Sequence, residues 1–147
     1  MANYAENRKA RFDYEILETF EAGLALTGQE VKSIRFGRAQ IAGSYVTFQR
    51  EELYLVGANI PPYQPANAPS SYDPQRSRKL LLHSKEIKYL FGKSKERGLT
   101  LAPIRLYNKG AQIKLEFGVA RGKKKYDKRE TLKRRAAERE MRSFKYR

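Results

Sequence analysis

The chain has 147 residues, and its 31 Lys and Arg against 16 Asp and Glu give a net charge of +15 at neutral pH. A chain of this length forms one domain with a hydrophobic core of its own. It has no cysteine, which excludes disulfides and thiolate metal sites, and a single histidine, His83, which leaves no second imidazole for zinc. No apolar run is long enough to cross a membrane, and the N-terminus lacks the hydrophobic stretch of a signal peptide. We therefore expect a cytoplasmic protein without metal, cofactor or membrane association.

The first predicted element is a half-buried strand that follows a polar N-terminal stretch. Apolar residues alternate with polar ones from Phe12 to Phe20, and only Leu17 and Glu18 break the period of two. Gly23 then interrupts a further apolar run, which predicts a bulge or a bend at this position.

A short helix is predicted next, in TGQEVKSIRFGR. Thr27 and Glu30 have the spacing of a capping box, and Gly37 suits the helix exit. Two strands, IAGSYVTFQ and LYLVGANI, follow with a turn near residues 50–52. Five of the six prolines then fall within residues 61–74, which predicts a long loop.

The second half of the chain predicts another strand, a helix and a hairpin. RKLLLH is predicted to be a strand, and Ser84 is predicted to cap a helix that ends at Gly98. LTLAPIRLY and AQIKLEFGV flank Asn-Lys-Gly, which is predicted to be a three-residue hairpin loop. In the last strand four apolar side chains share one face: Ile113, Leu115, Phe117 and Val119.

Six short strands and two helices predict a mostly antiparallel β fold with flanking helices. An OB-like barrel is the leading candidate, because closure removes exposed edges and the faces of such barrels commonly bind oligonucleotides. We expect the barrel to comprise residues 1–120 and a basic tail to comprise residues 121–147. The tail has 13 Lys or Arg against four acids and carries +9 of the net charge. Such an excess favours a polyanionic partner, most often nucleic acid, over a merely solubilising charge.

Catalysis has little support in the sequence. There is no Gly-rich phosphate loop, no nucleophile elbow and no metal-ligand spacing. His83 is predicted to have a packing or capping role, and Glu15, Glu18 and Glu21 are predicted to form a solvated edge. We expect a binding protein, and a phosphodiester-cleaving enzyme is the weaker alternative.

Three further features favour RNA as the partner. Basic residues flank the first predicted strand, with Arg8, Lys9 and Arg11 before it and Lys32, Arg35 and Arg38 after it. Three basic residues enter the third apolar strand: Arg76, Arg78 and Lys79. Stacking surfaces for unpaired bases are offered by tyrosines such as Tyr63, Tyr72, Tyr107, Tyr126 and Tyr146. For three tyrosines we prefer an ordinary barrel position: Tyr45, Tyr54 and Tyr107.

Five local strings are more specific than these general features. NRKARFDYEI, FEAGLALTGQEVKSIRFGRAQI, GANIPPY, DPQRSRKLLLH and GVARGKKKYDKRE occur in one unbroken order from Asn7 to about Arg129. Together they resemble the small protein B family, the SsrA-binding proteins of bacterial trans-translation. The resemblance implies an OB-type barrel that is not a catalyst.

The resemblance also implies partners. Members of this family bind transfer-messenger RNA and bring it, alongside elongation factor Tu, to ribosomes stalled on messages without a stop codon. The protein fills the volume of the anticodon stem that this RNA lacks. We expect a monomer, and the alternative is a general rRNA- or ribosome-binding protein without a rescue role.

Three positions match residues that the family uses on transfer-messenger RNA. Asn7 offers a donor and an acceptor, Glu21 offers an acceptor for base amino groups, and Leu81 offers an apolar surface to an unstacked base. From the residues alone, the alternatives are a turn residue at Asn7, a solubilising charge at Glu21 and a core position at Leu81. The core position is favoured for Leu81, because RKLLLH has the pattern of a buried strand. The resemblance reverses the preference for all three.

The resemblance gives the tail a place in the small ribosomal subunit, in the empty mRNA channel beside the decoding centre. Gly122, Lys123 and Lys124 would place the arm, and Tyr126 would stack on a decoding base. The family's functional tripeptide corresponds to Asp127, Lys128 and Arg129.

The tail has helical signals but a strong self-repulsion. Asp127 and Glu130 have capping-box spacing, and two i,i+4 Glu–Arg pairs each contribute only about 0.2–0.5 kcal/mol. An isolated helix of this length is marginal in water. We therefore expect a tail that is disordered in the free protein and helical when rRNA phosphates neutralise it.

Overall fold

A computed structural model describes residues 3–123, Arg129, residues 132–137 and Arg139. Within this part the strands are β1 (Asn3–Glu6), β2 (Tyr14–Leu24), β3 (Tyr45–Gln49), β4 (Glu52–Val56), β5 (Arg78–Leu81), β6 (Leu99–Lys109) and β7 (Gln112–Gly122). The α-helices that precede Gly122 are α1 (Arg8–Asp13), α2 (Gly28–Arg35) and α3 (Ser84–Ser94), and a 3₁₀ turn spans Pro65–Asn67. Arg129, residues 132–137 and Arg139 are helical and exposed. None of the helices in the described part combines the length and the apolar content needed to cross a bilayer.

The described strands form a single antiparallel sheet in the order β1-β6-β7-β2-β5-β4-β3. The sheet curls so that β3 approaches β6, although hydrogen bonds do not join these two strands in the described part. The predicted fold class, mostly antiparallel β with flanking helices, is confirmed. The OB-like barrel is open, with β1 and β3 at its edges.

The core lies on the concave face of the sheet. The predicted inward face of β7 is confirmed, because Ile113, Leu115, Phe117 and Val119 are all buried. Helices α2 and α3 contribute Ile34 and Leu90, both fully buried, to the same cluster. These contacts hold the helices against the sheet by the burial of apolar surface.

The N-terminal region differs from the prediction. Residues 8–13, including Phe12, form α1 rather than the start of a strand, and β1 precedes it. Asn7 causes the difference, because its Oδ1 accepts a hydrogen bond from the Ala10 N–H at 3.3 Å and caps the helix. The predicted count of six strands and two helices was therefore wrong by one strand and one helix.

The pairing of β2 accounts for Leu17 and Gly23, the two positions that interrupt its sequence pattern. Its register against β7 shifts between Ile16 and Glu18, and this irregularity accounts for the broken alternation at Leu17. The bulge or bend predicted at Gly23 is not there, because Gly23 continues the ladder and pairs with Leu81 on one side and Lys114 on the other. A Cβ at Gly23 would lie 3.4 Å from Leu81 Cβ, so this glycine allows a close approach.

The predicted capping box of α2 is confirmed. The Glu30 N–H donates to Thr27 Oγ1 at 3.2 Å, and the Thr27 N–H donates to Glu30 Oε1 at 2.9 Å. Gly37 follows the helix with φ +76°. The turn between β3 and β4 is also confirmed, at Arg50 and Glu51, which have φ values of 50° and 68° as in a type I′ hairpin.

Two boundaries in the second half are corrected. Lys109 pairs with Gln112, so the β6–β7 loop has two residues with Gly110 at φ 61°, rather than three. Helix α3 has His83, not Ser84, at its N-cap, and it ends at Ser94 rather than Gly98. The His83 N–H donates to Glu86 Oε1 at 3.4 Å, which agrees with the predicted capping role of His83.

Strand β7 extends to Gly122, two residues beyond the boundary predicted at residue 120. Gly122 pairs with Tyr14, and Arg121 pairs with Glu15 and Leu99. The Lys123 N–H still donates to the Asp13 carbonyl at 2.9 Å. The sheet therefore holds the backbone through Lys123.

Candidate nucleic-acid interface

The register of the sheet brings Glu21 and Leu81 together on its convex face. Glu21 and Gly23 are two residues apart on β2 and face the same side, and Leu81 of β5 pairs with Gly23. Leu81 is thus the diagonal neighbour of Glu21, a spacing of about 7–8 Å. Because Gly23 has no side chain, Leu81 packs over its backbone.

Leu81 is exposed, not part of the core. Its side chain is 52% exposed, whereas the preceding Leu80 is 2% exposed and points inward. The interpretation of RKLLLH as a uniformly buried strand is therefore wrong for Leu81. An apolar side chain that remains open to solvent on a convex face is available to a ligand.

The Glu21 carboxylate is held by two donors. Its Oε2 accepts a short hydrogen bond from the Tyr107 hydroxyl, and its Oε1 accepts one from Lys109 Nζ at 2.9 Å. The Arg105 guanidinium lies 4.2 Å from the centroid of the Tyr107 ring and helps to bury that ring. The barrel position predicted for Tyr107 is confirmed. The Glu21 side chain is 34% exposed, so a fixed carboxylate edge still faces solvent as a hydrogen-bond acceptor.

Basic side chains border this pair. Lys114 is the other partner of Gly23, and Lys79 lies two residues before Leu81 on β5. Lys79 forms an ion pair with Glu52 at 3.0 Å, and this hydrogen bond raises the pKa of Lys79 and lowers the pKa of Glu52. The convex face therefore places the fixed Glu21 carboxylate, the exposed Leu81 side chain and the cationic side chain of Lys114 next to one another.

A groove beside Leu81 extends this face towards α2. Its lining includes Gly23, Val31, Arg35, Leu81 and Lys114. Arg35 is held there by a hydrogen bond from its Nη2 to the Ala111 carbonyl at 2.9 Å. The groove is lined by both apolar and cationic side chains, a combination that suits a base and its phosphates.

Asn7 lies apart from Glu21 and Leu81, at the β1–α1 corner. Its side chain is buried, with Nδ2 donating to the Pro103 carbonyl at 3.0 Å and Oδ1 capping α1. Both ends of the amide are therefore used within the protein. The exposed cations Arg8 and Arg11 follow it on α1 and line a polar groove with Glu116, which is the cross-strand partner of Glu21.

A buried ionic cluster joins the inner face of β5, the strand that carries Leu81, to α2. Glu30 is 1% exposed and accepts hydrogen bonds from Arg78 Nε at 2.9 Å and from Arg76 Nε at 3.1 Å. The Tyr72 hydroxyl lies 3.4 Å from Glu30 Oε2 and donates to the Ile60 carbonyl at 2.7 Å. We call Glu30, Arg76, Arg78 and Tyr72 the Glu30 cluster.

The Glu30 cluster keeps its carboxylate ionised. Burial alone would raise the pKa of Glu30, but hydrogen bonds from Arg76, the Thr27 N–H and Arg78 outweigh it and lower the pKa to about 2. Burial also raises the pKa of the Tyr72 hydroxyl. The cluster joins α2 to the proline-rich loop, because Arg78 also donates to the Ala58 and Pro74 carbonyls.

The role predicted for Arg78 is corrected by this cluster. Arg78 was expected among the RNA-binding cations, but it is fully buried and bound to Glu30. The sequence contains the signal, since Arg78 and Leu80 are two residues apart and therefore share the inward face of β5. Arg76 is also bound to Glu30, so of the three basic residues Lys79 is the one on the convex face.

The predicted ribosome-facing residues of the tail are only partly described. Gly122 lies in β7, Lys123 follows it, and Arg129 is helical and exposed. Lys124, Tyr126, Asp127 and Lys128 lie outside the described residues, so the roles predicted for them stay predictions. Further along, the Arg135 guanidinium lies 5.6 Å from the ring centroid of Phe12 in α1.

Known proteins are similar to this chain in sequence and in fold. The family model described as SmpB protein matches residues 4–146. The SsrA-binding protein of Maricaulis maris is 57% identical over 133 residues, which cover 90% of this chain and 85% of the relative. That of Magnetococcus marinus is 54% identical over 136 residues, covering 92% and 90% respectively.

A solved structure agrees with both matches. A chain of the structure described as "tmRNA-SmpB: a journey to the center of the bacterial ribosome" has a TM-score of 0.66 and 47% sequence identity, and the match covers 86% of this chain and 92% of that one. The family model spans nearly the whole sequence, and the relatives exceed half identity over most of it. The chain therefore belongs to the SmpB protein family.

Proposed function

We propose that this chain binds the tRNA-like part of transfer-messenger RNA through its convex face and serves in trans-translation on stalled ribosomes. Its relatives are named SsrA-binding proteins, and its structural match comes from a tmRNA–SmpB complex of the bacterial ribosome. In this role the chain is an RNA-binding protein that leaves the RNA intact, delivers it alongside elongation factor Tu, and acts as a monomer in the cytoplasm.

The observation that carries the proposal is the pair formed by Glu21 and Leu81. General attraction to rRNA phosphates does not account for a carboxylate on a basic face, and the bonds that Glu21 accepts from Tyr107 and Lys109 leave part of it open to a ligand. A fixed carboxylate is useful where the amino group of a base must be recognised, and an exposed leucine is useful where a base is unstacked. The pair therefore favours recognition of a particular RNA fold over general attraction to RNA.

In this proposal Asn7 contributes to RNA binding indirectly, by positioning the basic residues that follow it. Its amide caps α1 and is tied to the Pro103 carbonyl, so it fixes the direction from which Arg8 and Arg11 leave the barrel. These two exposed cations then reach phosphates next to the Glu21 contact.

The tail supplies the second half of the proposed function. We place the division into barrel and tail after Lys123, because its N–H donates to the Asp13 carbonyl and residues 124–128 lie outside the described part of the chain. Gly122 and Lys123 would direct the tail into the mRNA channel of the small subunit. Lys124, Tyr126, Asp127, Lys128 and Arg129 would contact the decoding centre and the channel there.

The Glu21→Ala variant should bind transfer-messenger RNA about tenfold or more weakly, although it makes the protein more positive. Loss of a hydrogen bond to a charged group costs about 1.5–3 kcal/mol. The matched control is Glu15→Ala, which removes an equal charge from an exposed position on the same strand. Dissociation constants should be measured for both at several salt concentrations.

Folding must be controlled separately, because Glu21→Ala also removes the acceptor of the Tyr107 hydroxyl. Tyr107→Phe removes that hydroxyl and keeps the carboxylate, so it should bind the RNA more tightly than Glu21→Ala does. If Glu21→Ala and Glu15→Ala both strengthened binding to the same extent, Glu21 would be only a repulsive charge and the proposed recognition would be wrong.

A further inference from the structure

An exposed cluster of aromatic and basic side chains lies at the C-terminal end of α2, outside the Glu21–Leu81 pair. It consists of Phe36, Tyr63, Lys32 and Arg38, and we call it the Phe36 cluster. The ring centroids of Phe36 and Tyr63 are 5.2 Å apart. Lys32 Nζ and Arg38 Cζ lie 5.7 and 5.8 Å from the centroid of the Tyr63 ring. Phe36 is 66% exposed, the largest fraction among the exposed large hydrophobic residues of the described part.

The backbone around these rings is fixed from both sides. Ser33 Oγ of α2 donates to the Pro61 carbonyl at 2.6 Å, and Arg38 Nη1 donates to the Tyr63 carbonyl at 3.0 Å. The Glu30 cluster anchors the residue before Pro61, because the Tyr72 hydroxyl binds the Ile60 carbonyl. A ligand that stacks on the cluster would therefore not have to order it first, which lowers the entropic cost of binding.

The charge of the Phe36 cluster is uncompensated. Lys32 and Arg38 take part in none of the salt bridges between the residues that the structure describes. The α3 helix offers a contrast, because its Lys93, which lies over Tyr89, is paired with Glu96 at 3.3 Å. The helix dipole explains basic residues in the last turn of α2. It does not explain why an open aromatic ring lies among them.

We propose that the Phe36 cluster is a stacking site for an unpaired nucleotide of RNA. The base would stack on the open ring of Phe36, while Lys32 and Arg38 bind the flanking phosphates. Aromatic stacking accepts any base, so the ligand class is single-stranded RNA of any sequence, from transfer-messenger RNA or from rRNA. A protein surface would need acidic groups to face these two cations, whereas RNA supplies a phosphate at every nucleotide. The site does not depend on the role proposed for Glu21 and Leu81.

A fluorescence experiment on the full-length chain tests the site locally, away from the basic tail. The chain has no tryptophan, so Phe36→Trp introduces a single indole reporter. Phe91→Trp is the matched control, since Phe91 is 41% exposed and has Lys95 Nζ 4.1 Å from its ring centroid. A mixed-sequence single-stranded RNA should quench the Phe36→Trp variant by about half or more, because an indole that stacks on a base loses emission. A duplex of equal length should not quench it, and the Phe91→Trp variant should respond to neither.

Three further arms identify the ligand and its charge contacts. Adding Lys32→Gln to Phe36→Trp should raise the RNA concentration at half-quenching several-fold, since one phosphate contact is lost. Purified transfer-messenger RNA and purified small ribosomal subunits should then be compared, and the one that quenches is the source of the nucleotide. Equal quenching of the Phe36→Trp and Phe91→Trp variants, or quenching by neither natural RNA, would overturn the inference. Such a result with undiminished transfer-messenger RNA binding would leave the proposed function intact.

Discussion

A chain that ends after Lys123 should still bind transfer-messenger RNA and bring it to stalled ribosomes, but peptide tagging should stop. Strand β7 and the Glu21–Leu81 pair are complete in this truncation, and the described helical residues beyond it are all exposed. The removed residues 124–147 carry +7 of the net charge, so RNA binding should also depend less steeply on salt. A reconstituted assay should score RNA delivery and peptide transfer separately.

The control for this truncation is a smaller change in the tail. Replacing Asp127, Lys128 and Arg129 together by alanine lowers the net charge by only one, yet it should give the same loss of peptide transfer. A cut before Arg121 is not equivalent, because it removes the β7 pairs with Tyr14 and Glu15. Normal peptide transfer by both variants would reduce the tail to an electrostatic anchor and contradict its proposed place in the mRNA channel.

The Glu30→Gln variant should lose about 3–5 kcal/mol of unfolding free energy, the cost of breaking a buried ion pair and leaving its partner charged. Arg78 is fully buried beside Glu30, and solvent cannot take over that contact. Urea denaturation measures the loss. Glu52→Gln is the matched control, since it breaks an exposed ion pair with Lys79 and should change stability little.

Acid provides an independent measurement on the same cluster. The pKa of Glu30 is lowered from 4.5 to about 2 in the folded chain, so its stabilising contribution is complete above about pH 4.5 and is lost as the pH falls towards 2. The Glu30→Gln variant lacks this titration, so the stability difference between the two proteins should narrow over that range. A difference that stayed constant from pH 7 to pH 2 would mean that the ion pair does not stabilise the fold.

Hydrophobic periodicity was sufficient to predict most of this fold. It identified β7, the β3–β4 hairpin and α2, because each has a regular apolar pattern with a clear turn or cap. It failed at residues 8–13, where the helix depends on a long-range contact of Asn7 with Pro103 as well as on its local cap. No local pattern contains that contact.

The candidate site depended even more on tertiary pairing. The sequence does not reveal that Leu81 faces outward, since three consecutive leucines in RKLLLH show no alternation. The pairing of Leu81 with Gly23 determines the direction of its side chain. Arg78 shows the converse: its alternation with Leu80 indicates the inward face, but the carboxylate that neutralises it there lies 48 positions away in the sequence. The exposure of Leu81 and the burial of Arg78 thus depend on tertiary partners that sequence patterns do not identify.

The central claim is that the convex face selects transfer-messenger RNA, and sequencing the RNA that copurifies with the chain from its source cell tests this most directly. The wild-type chain and a Leu81→Ala variant should be compared, because both keep the basic tail and therefore the general attraction to RNA. Transfer-messenger RNA should be strongly enriched over rRNA with the wild-type chain, and the enrichment should fall with Leu81→Ala while the total bound RNA changes little. Recovery of rRNA and transfer-messenger RNA in proportion to their cellular abundance, unchanged by Leu81→Ala, would show a general RNA-binding protein and contradict the account.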